Sequence, residues 1–115
     1  LGDSIWRWKH LYAIDGTINT SDERLKTNIQ DLNYGLEEVL KMRPTRYNWK
    51  SAPNDTDKVG LIAQELQTII PEVVEASDDE DKTLGVAYSE LITLLVRAIQ
   101  EQQEQIAALK KAAKQ

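Results

Sequence analysis

A chain of 115 residues makes one small domain with a modest core, and 41% apolar against 29% charged residues fits a folded protein rather than a disordered one. The formal charge of −5, with no Lys/Arg stripe, argues against a nucleic-acid partner; one His and no Cys leave neither a disulfide framework nor a transition-metal set. No apolar run approaches bilayer length and no signal-peptide pattern opens the chain, so no membrane partner is expected, and no cofactor loop is present. The chain begins on Leu1 rather than Met, as expected of a piece of a longer polypeptide.

Residues 1–20 read as strands. Ile5-Trp6-Arg7-Trp8-Lys9-His10-Leu11-Tyr12 is rich in aromatic and β-branched side chains, and Asp15-Gly16 marks a turn before Thr17-Ile18-Asn19. The aromatics are three Trp and four Tyr with no Phe, so each carries a polar tip suited to half-buried or interface positions. From Leu25 through Ile29, Leu32, Leu36, Val39 and Leu40 the apolar spacing suits helix, most strongly over Tyr34–Met42. Asn33 is the expected cap, Glu37 and Glu38 suit the first turn, and Pro44 lies just beyond the end.

Thr45–Lys50 alternates as a strand does, and 51–57 is a polar loop. Val59–Ala63 suits a buried strand, and Gln64–Ile70 a short helix stopped by Pro71. Val73–Ala76 and Leu84–Tyr88 are expected to form two strands around the acidic tip Asp78-Asp79-Glu80-Asp81. The spacing there matches no calcium loop and is read as a solvated hairpin tip.

The span 88–115 carries the plainest signal. Ser89 can cap it, and neither Gly nor Pro interrupts it. Ile92, Leu95, Ile99, Gln102, Ile106, Leu109 and Ala113 recur at alternating steps of three and four, a coiled-coil seam with one polar member. A second apolar set, Leu91, Leu94 and Ala98, stays in the first half. The helix should therefore dock on its own domain early and meet other copies of itself along its length; heptads alone leave the number of copies open.

The segment Ser21-Asp22-Glu23-Arg24-Leu25-Lys26 carries the candidate chemistry. A serine hydroxyl is a poor nucleophile until a base takes its proton, and a lysine amine can be that base where burial favours its neutral form. Ser21 and Lys26 can meet across a turn. The same residues also suit a plain helix start, with Ser21 as cap, Asp22 and Glu23 in the first turn and Lys26 solvated.

The run Ser21-Asp22-Glu23-Arg24-Leu25-Lys26-Thr27-Asn28-Ile29 resembles the opening signature of the intramolecular chaperone auto-processing family, peptidase family S74. The resemblance continues through Gly60-Leu61-Ile62-Ala63-Gln64-Glu65 and Pro71-Glu72-Val73-Val74, and closes on Val86-Ala87-Tyr88-Ser89-Glu90-Leu91. It implies an α+β architecture in three parts. Residues 1–20 are the end of a β-structured fibre shaft, 21–87 the chaperone core, and 88–115 a helix forming a trimeric coiled coil.

The resemblance further implies a homotrimer that templates folding of the preceding fibre segment of its own polypeptide and then frees itself by cutting at the serine. Ser21 is then the nucleophile and Lys26 its base, with Asp22 and Arg24 in support. The precursor belongs in the infected host cytoplasm, the mature fibre in a virion tail, and the chaperone module is released. Ser21 Oγ reaches the carbonyl of Thr20 through a five-membered ring, whereas its own carbonyl would need a strained four-membered one. Thr20–Ser21 is thus the favoured bond; Ser21–Asp22 stays open if serine or base comes from a neighbouring subunit.

Two alternatives stand beside this. The module can be a trimerisation cap that stays attached and cuts nothing, or the version of the domain found in a membrane-bound transcription factor family (myelin regulatory factor). The second is not expected, because no membrane segment follows the terminal helix in this sequence.

Overall fold

The computed structural model describes residues 10, 12–14 and 18–114. The strand expected over Ile5–Tyr12 and the Asp15-Gly16 turn lie almost wholly outside them. Residues 18–20 form no strand, and Ile18 is 90% exposed. A strand needs a neighbour for its backbone groups, and the described residues supply none here.

The elements run in the order α1 (Leu36–Lys41), β1 (Thr45–Tyr47), β2 (Lys58–Gly60), α2 (Ala63–Gln67), β3 (Val74–Ala76), β4 (Leu84–Val86) and α3 (Tyr88–Ala113). Single 3-10 turns occupy Glu23–Leu25 and Pro71–Val73. The architecture is mixed α+β, with two antiparallel ribbons and a long final helix.

α1 begins two residues later than an Asn33 cap requires. Its N-cap is Gly35, whose N–H donates to Glu38 Oε1 at 2.6 Å, while Leu36 N–H donates to Glu101 Oε2 of α3 at 3.3 Å. Two carboxylates thus take over what a capping side chain at Asn33 would have done. Between Lys26 and Gly35 no helix forms: Asn28 sits at φ 54°, in the left-handed region that a helix cannot continue through.

β1 stops at Tyr47, short of the expected Lys50. Asn48 Nδ2 donates to the carbonyl of Asp55 at 3.2 Å and to Asp57 Oδ1 at 3.0 Å, which folds the loop back on itself. β2 pairs antiparallel with β1 in the register Thr45↔Gly60, Arg46↔Val59, Tyr47↔Lys58. The buried strand expected over Val59–Ala63 is corrected: Val59 is 74% exposed, and the chain enters α2 at Ala63. A two-stranded ribbon leaves one face wet, and Val59 is on it.

α2 ends at Gln67, before the expected Ile70. Thr68 caps it, with Oγ1 donating to the Glu65 carbonyl at 2.7 Å, and Pro71 then opens its own 3-10 turn. β3 and β4 form the expected hairpin in the register Val74↔Val86, Glu75↔Gly85, Ala76↔Leu84, with Ser77 N–H to Thr83 O (2.9 Å) adding a rung. At the acidic tip, Asp79 Oδ1 accepts from Thr83 N–H at 2.9 Å, and Lys82 takes the left-handed turn position at φ 51°.

The core is small: Leu66, Ile70, Val73, Leu91 and Leu94 bury together, and Ala98 continues the stripe along α3. Tyr34, Val39, Met42, Leu61, Ile69, Val74 and Val86 pack around them. Each fully buried large aliphatic contributes about 1.5–3 kcal/mol, so a core this size leaves little margin. The expected docking set on α3 is the set that is buried. Its cap is not Ser89 but Ala87, and no side chain caps it. Tyr88 anchors that end instead, its Oη accepting from Leu61 N–H at 2.9 Å. Gly60 makes room for the contact, because a Cβ there would come within 2.8 Å of the Tyr88 hydroxyl.

Candidate functional site

The segment before α1 forms one tight turn. Leu25 N–H donates to Asp22 O and Lys26 N–H to Glu23 O, each at 3.0 Å, closing the Glu23–Leu25 3-10 turn. Its N-cap is Asp22, whose Oδ1 accepts from Arg24 N–H at 2.9 Å. The Arg24 guanidinium then folds back over the same carboxylate, with Nη2 2.8 Å from Oδ2 and Nε 3.1 Å from Oδ1. The cap position proposed for Ser21 is therefore held by Asp22, and the Ser21 side chain is left for something else.

That something is Lys26. Its Nζ donates to Ser21 Oγ at 2.7 Å, so the turn brings together the two residues that spacing had paired. Thr20, Ser21 and Lys26 are all exposed in the single chain. Hydrogen bonds from the Arg24 side chain and backbone hold the Asp22 carboxyl below its ordinary range, and Asp22 in turn makes Arg24 harder to deprotonate. Both carboxylate oxygens of Asp22 are thus engaged by Arg24.

Along α3, Ile92, Leu95, Ile99, Ile106 and Leu109 are exposed, on a stripe that flanks the buried Leu91, Leu94 and Ala98. Val96 is exposed beside them, which the heptad reading missed although it lies four residues after Ile92. Sequence reasoning also missed Glu101 and Tyr88, which tie α3 to the domain through backbone amides. No local pattern marks such a pairing, because each partner amide lies in another element. Among the described residues no three His, Asp or Glu side chains gather as a metal site.

A serine and a lysine thus meet across a capped turn, ahead of a small α+β core and a long two-faced helix. Residues 21–75 match the Peptidase S74 family, described as chaperone of endosialidase, and that part of the chain belongs to it. The match opens on Ser21 itself.

The chain is also similar to the long tail fiber protein Gp37 of Enterobacteria phage M1 and that of Enterobacteria phage Ox2. Each is 36% identical over 96 residues, covering 78% of this chain and 38% of the relative. The Gp37 of Escherichia phage AR1 is 34% identical over 91 residues, covering 70% of this chain and 8% of that protein. The chain thus spans little more than a third of the length of the first two relatives.

Proposed function

We propose that this chain is the C-terminal intramolecular chaperone of a phage tail fibre, which trimerises along α3, templates folding of the fibre segment before it, and then frees itself by cutting at Ser21. The observation that carries the reading is the 2.7 Å contact between Lys26 Nζ and Ser21 Oγ, at the first residue of the family match. The fibre context rests on the similarity to the long tail fiber proteins.

The chemistry balances without a cofactor. Lys26 as the free amine takes the Ser21 hydroxyl proton, and Oγ attacks the Thr20 carbonyl carbon through a five-membered ring. The C–N bond of Thr20–Ser21 breaks as the nitrogen takes up a proton, leaving Thr20 esterified to Ser21 Oγ. Water hydrolyses that ester to a Thr20 carboxylate and the Ser21 hydroxyl, leaving Ser21 as a new amino terminus. Asp22 and Arg24 hold the turn on which both reacting side chains ride.

A lysine acts as a base only when neutral, and burial favours that form. Ser21 and Lys26 are exposed in the single chain, so this reading needs the site covered by assembly. The seam supports assembly: isoleucine at a and leucine at d, interrupted by Gln102, suits a parallel bundle of copies. Bringing three chains into register raises their effective concentration before slow long-range β-pairing begins. Cutting afterwards makes the folded fibre's stability kinetic. The mature fibre then belongs to the virion tail.

A longer polypeptide carrying the preceding fibre segment provides the test. By mass spectrometry the wild type should release a fragment whose amino terminus is Ser21, and Ser21→Ala should stay intact with its trimer preserved. Continued cutting in Ser21→Ala overturns the nucleophile. A wild type that trimerises and is never cut leaves the attached structural cap as the function.

A further inference from the structure

Glu101 is the last residue of α3 that is not exposed; from Gln102 onward the described helix is solvated. Its carboxylate sits on the start of α1. Oε2 accepts from Leu36 N–H at 3.3 Å, and Arg97 Nε, one turn back on α3, stands 3.3 Å from Oε1. Gly35 is buried directly beneath it, and a Cβ added there would overlap the Glu101 carboxylate. The contact thus depends on a glycine at one specific place and joins residues 65 positions apart.

Its position is what matters. Residues 99 and 102, on either side of Glu101, belong to the exposed seam, while Gly35 and Leu36 end the irregular segment that carries Ser21 and Lys26. Tyr34, packed at the edge of the core, holds its end as well. Tyr34 Oη donates to Glu72 at 2.9 Å, while Leu25 and Ile29 are exposed.

We propose that Glu101 is a positioning residue, transmitting the ordering of the seam on assembly to the Ser21/Lys26 segment through the amide of Leu36. This rests on the self-cleavage reading for its consequence, but not for its geometry. When copies pack at Ile99 and Gln102, that turn of α3 stops fluctuating. Glu101 then holds the first turn of α1 still, and with it the end of the processing segment. The acceptor oxygen carries the effect; the charge serves the Arg97 pair.

The test uses the longer polypeptide with its fibre segment. Glu101→Ala should slow self-cleavage by about threefold to tenfold, the scale of one lost hydrogen bond, while sedimentation shows the same assembly as wild type. Glu101→Gln, which keeps an acceptor oxygen for Leu36 N–H, should restore most of the rate. Gly35→Ala should reproduce the loss, and the double variant Gly35→Ala/Glu101→Ala should be no slower than the slower single one, since both break one contact.

Hydrogen exchange gives a readout that does not require cutting. Glu101→Ala should raise exchange at the start of α1 and across 26–35, leaving 92–99 as protected as in wild type. Unchanged exchange there, or a Gln variant as impaired as the Ala variant, overturns the proposal. A wild type that never cuts, but shows this exchange pattern, overturns only the self-cleavage reading.

Discussion

At the scale of single residues, the turn at 21–26 is built by Asp22 and Arg24 rather than by the serine it presents. The aspartate caps through Oδ1 and the arginine closes over it, so the two charges satisfy each other within three residues. Because the Asp22 carboxyl is held below its ordinary value of 3.8, the turn gains from its ionised form. That gain is complete above the ordinary value and is lost as the pH falls through the lowered one. In a carboxyl-detected NMR titration, Asp22 should therefore titrate below a free aspartate, and Arg24→Ala should move its midpoint upward. An unmoved midpoint would show that the clamp does not hold in solution. Spacing allowed the Ser21–Lys26 pairing, since a single turn spans it, but suited a solvated Lys26 as well. Which residue capped the turn was not legible, since Ser21 and Asp22 both have the side chain for it.

At the scale of elements, the boundaries follow bonds from outside each element. α3 starts at Tyr88 without a side-chain cap, and its first turn is tied down by the tyrosine's own hydroxyl receiving the Leu61 amide. Tyr88→Phe should cost about 0.5–1.5 kcal/mol, the net worth of a typical hydrogen bond, seen as a lower denaturant midpoint with an unchanged slope. An unaltered midpoint would mean that water replaces the hydroxyl freely. Asn33 had the chemistry of a cap and no role as one, because Glu38 and Glu101 reached the start of α1 first. Alternation marked the stretches that become β1 and β2 without showing that they pair, and the β3–β4 hairpin was placed around its acidic tip. β1 is shorter than its alternation because Asn48 turns into the loop and bonds Asp57.

At the scale of the whole molecule, one helix serves two surfaces. The radius of gyration is 18.3 Å, against about 13 Å for a compact chain of this length. A helix of 26 residues is about 39 Å long, and only its first half rests on the domain. The two faces predict opposite responses. Leu94→Ala on the buried face should cost about 2–5 kcal/mol, enough in so small a core to unfold the domain near room temperature, as followed by circular dichroism. Ile106→Asp on the exposed seam should leave the domain's own melting intact in dilute solution and abolish assembly, as followed by sedimentation. Assembly that survives Ile106→Asp would mean that the seam is only a solvated face.

The sequence by itself determined the two stripes on the final helix and the hairpin around the acidic tip, and it allowed the pairing of Ser21 with Lys26. These are local facts: periodicity and turn chemistry act over a few residues and are written in consecutive letters. The tertiary structure alone decided that Asp22 caps the turn, that Val59 faces water, and that Gly35 lies beneath Glu101. Each of these is a competition among groups far apart in the chain or equal in local chemistry. Proximity created by folding settles it, and no window of sequence contains that proximity.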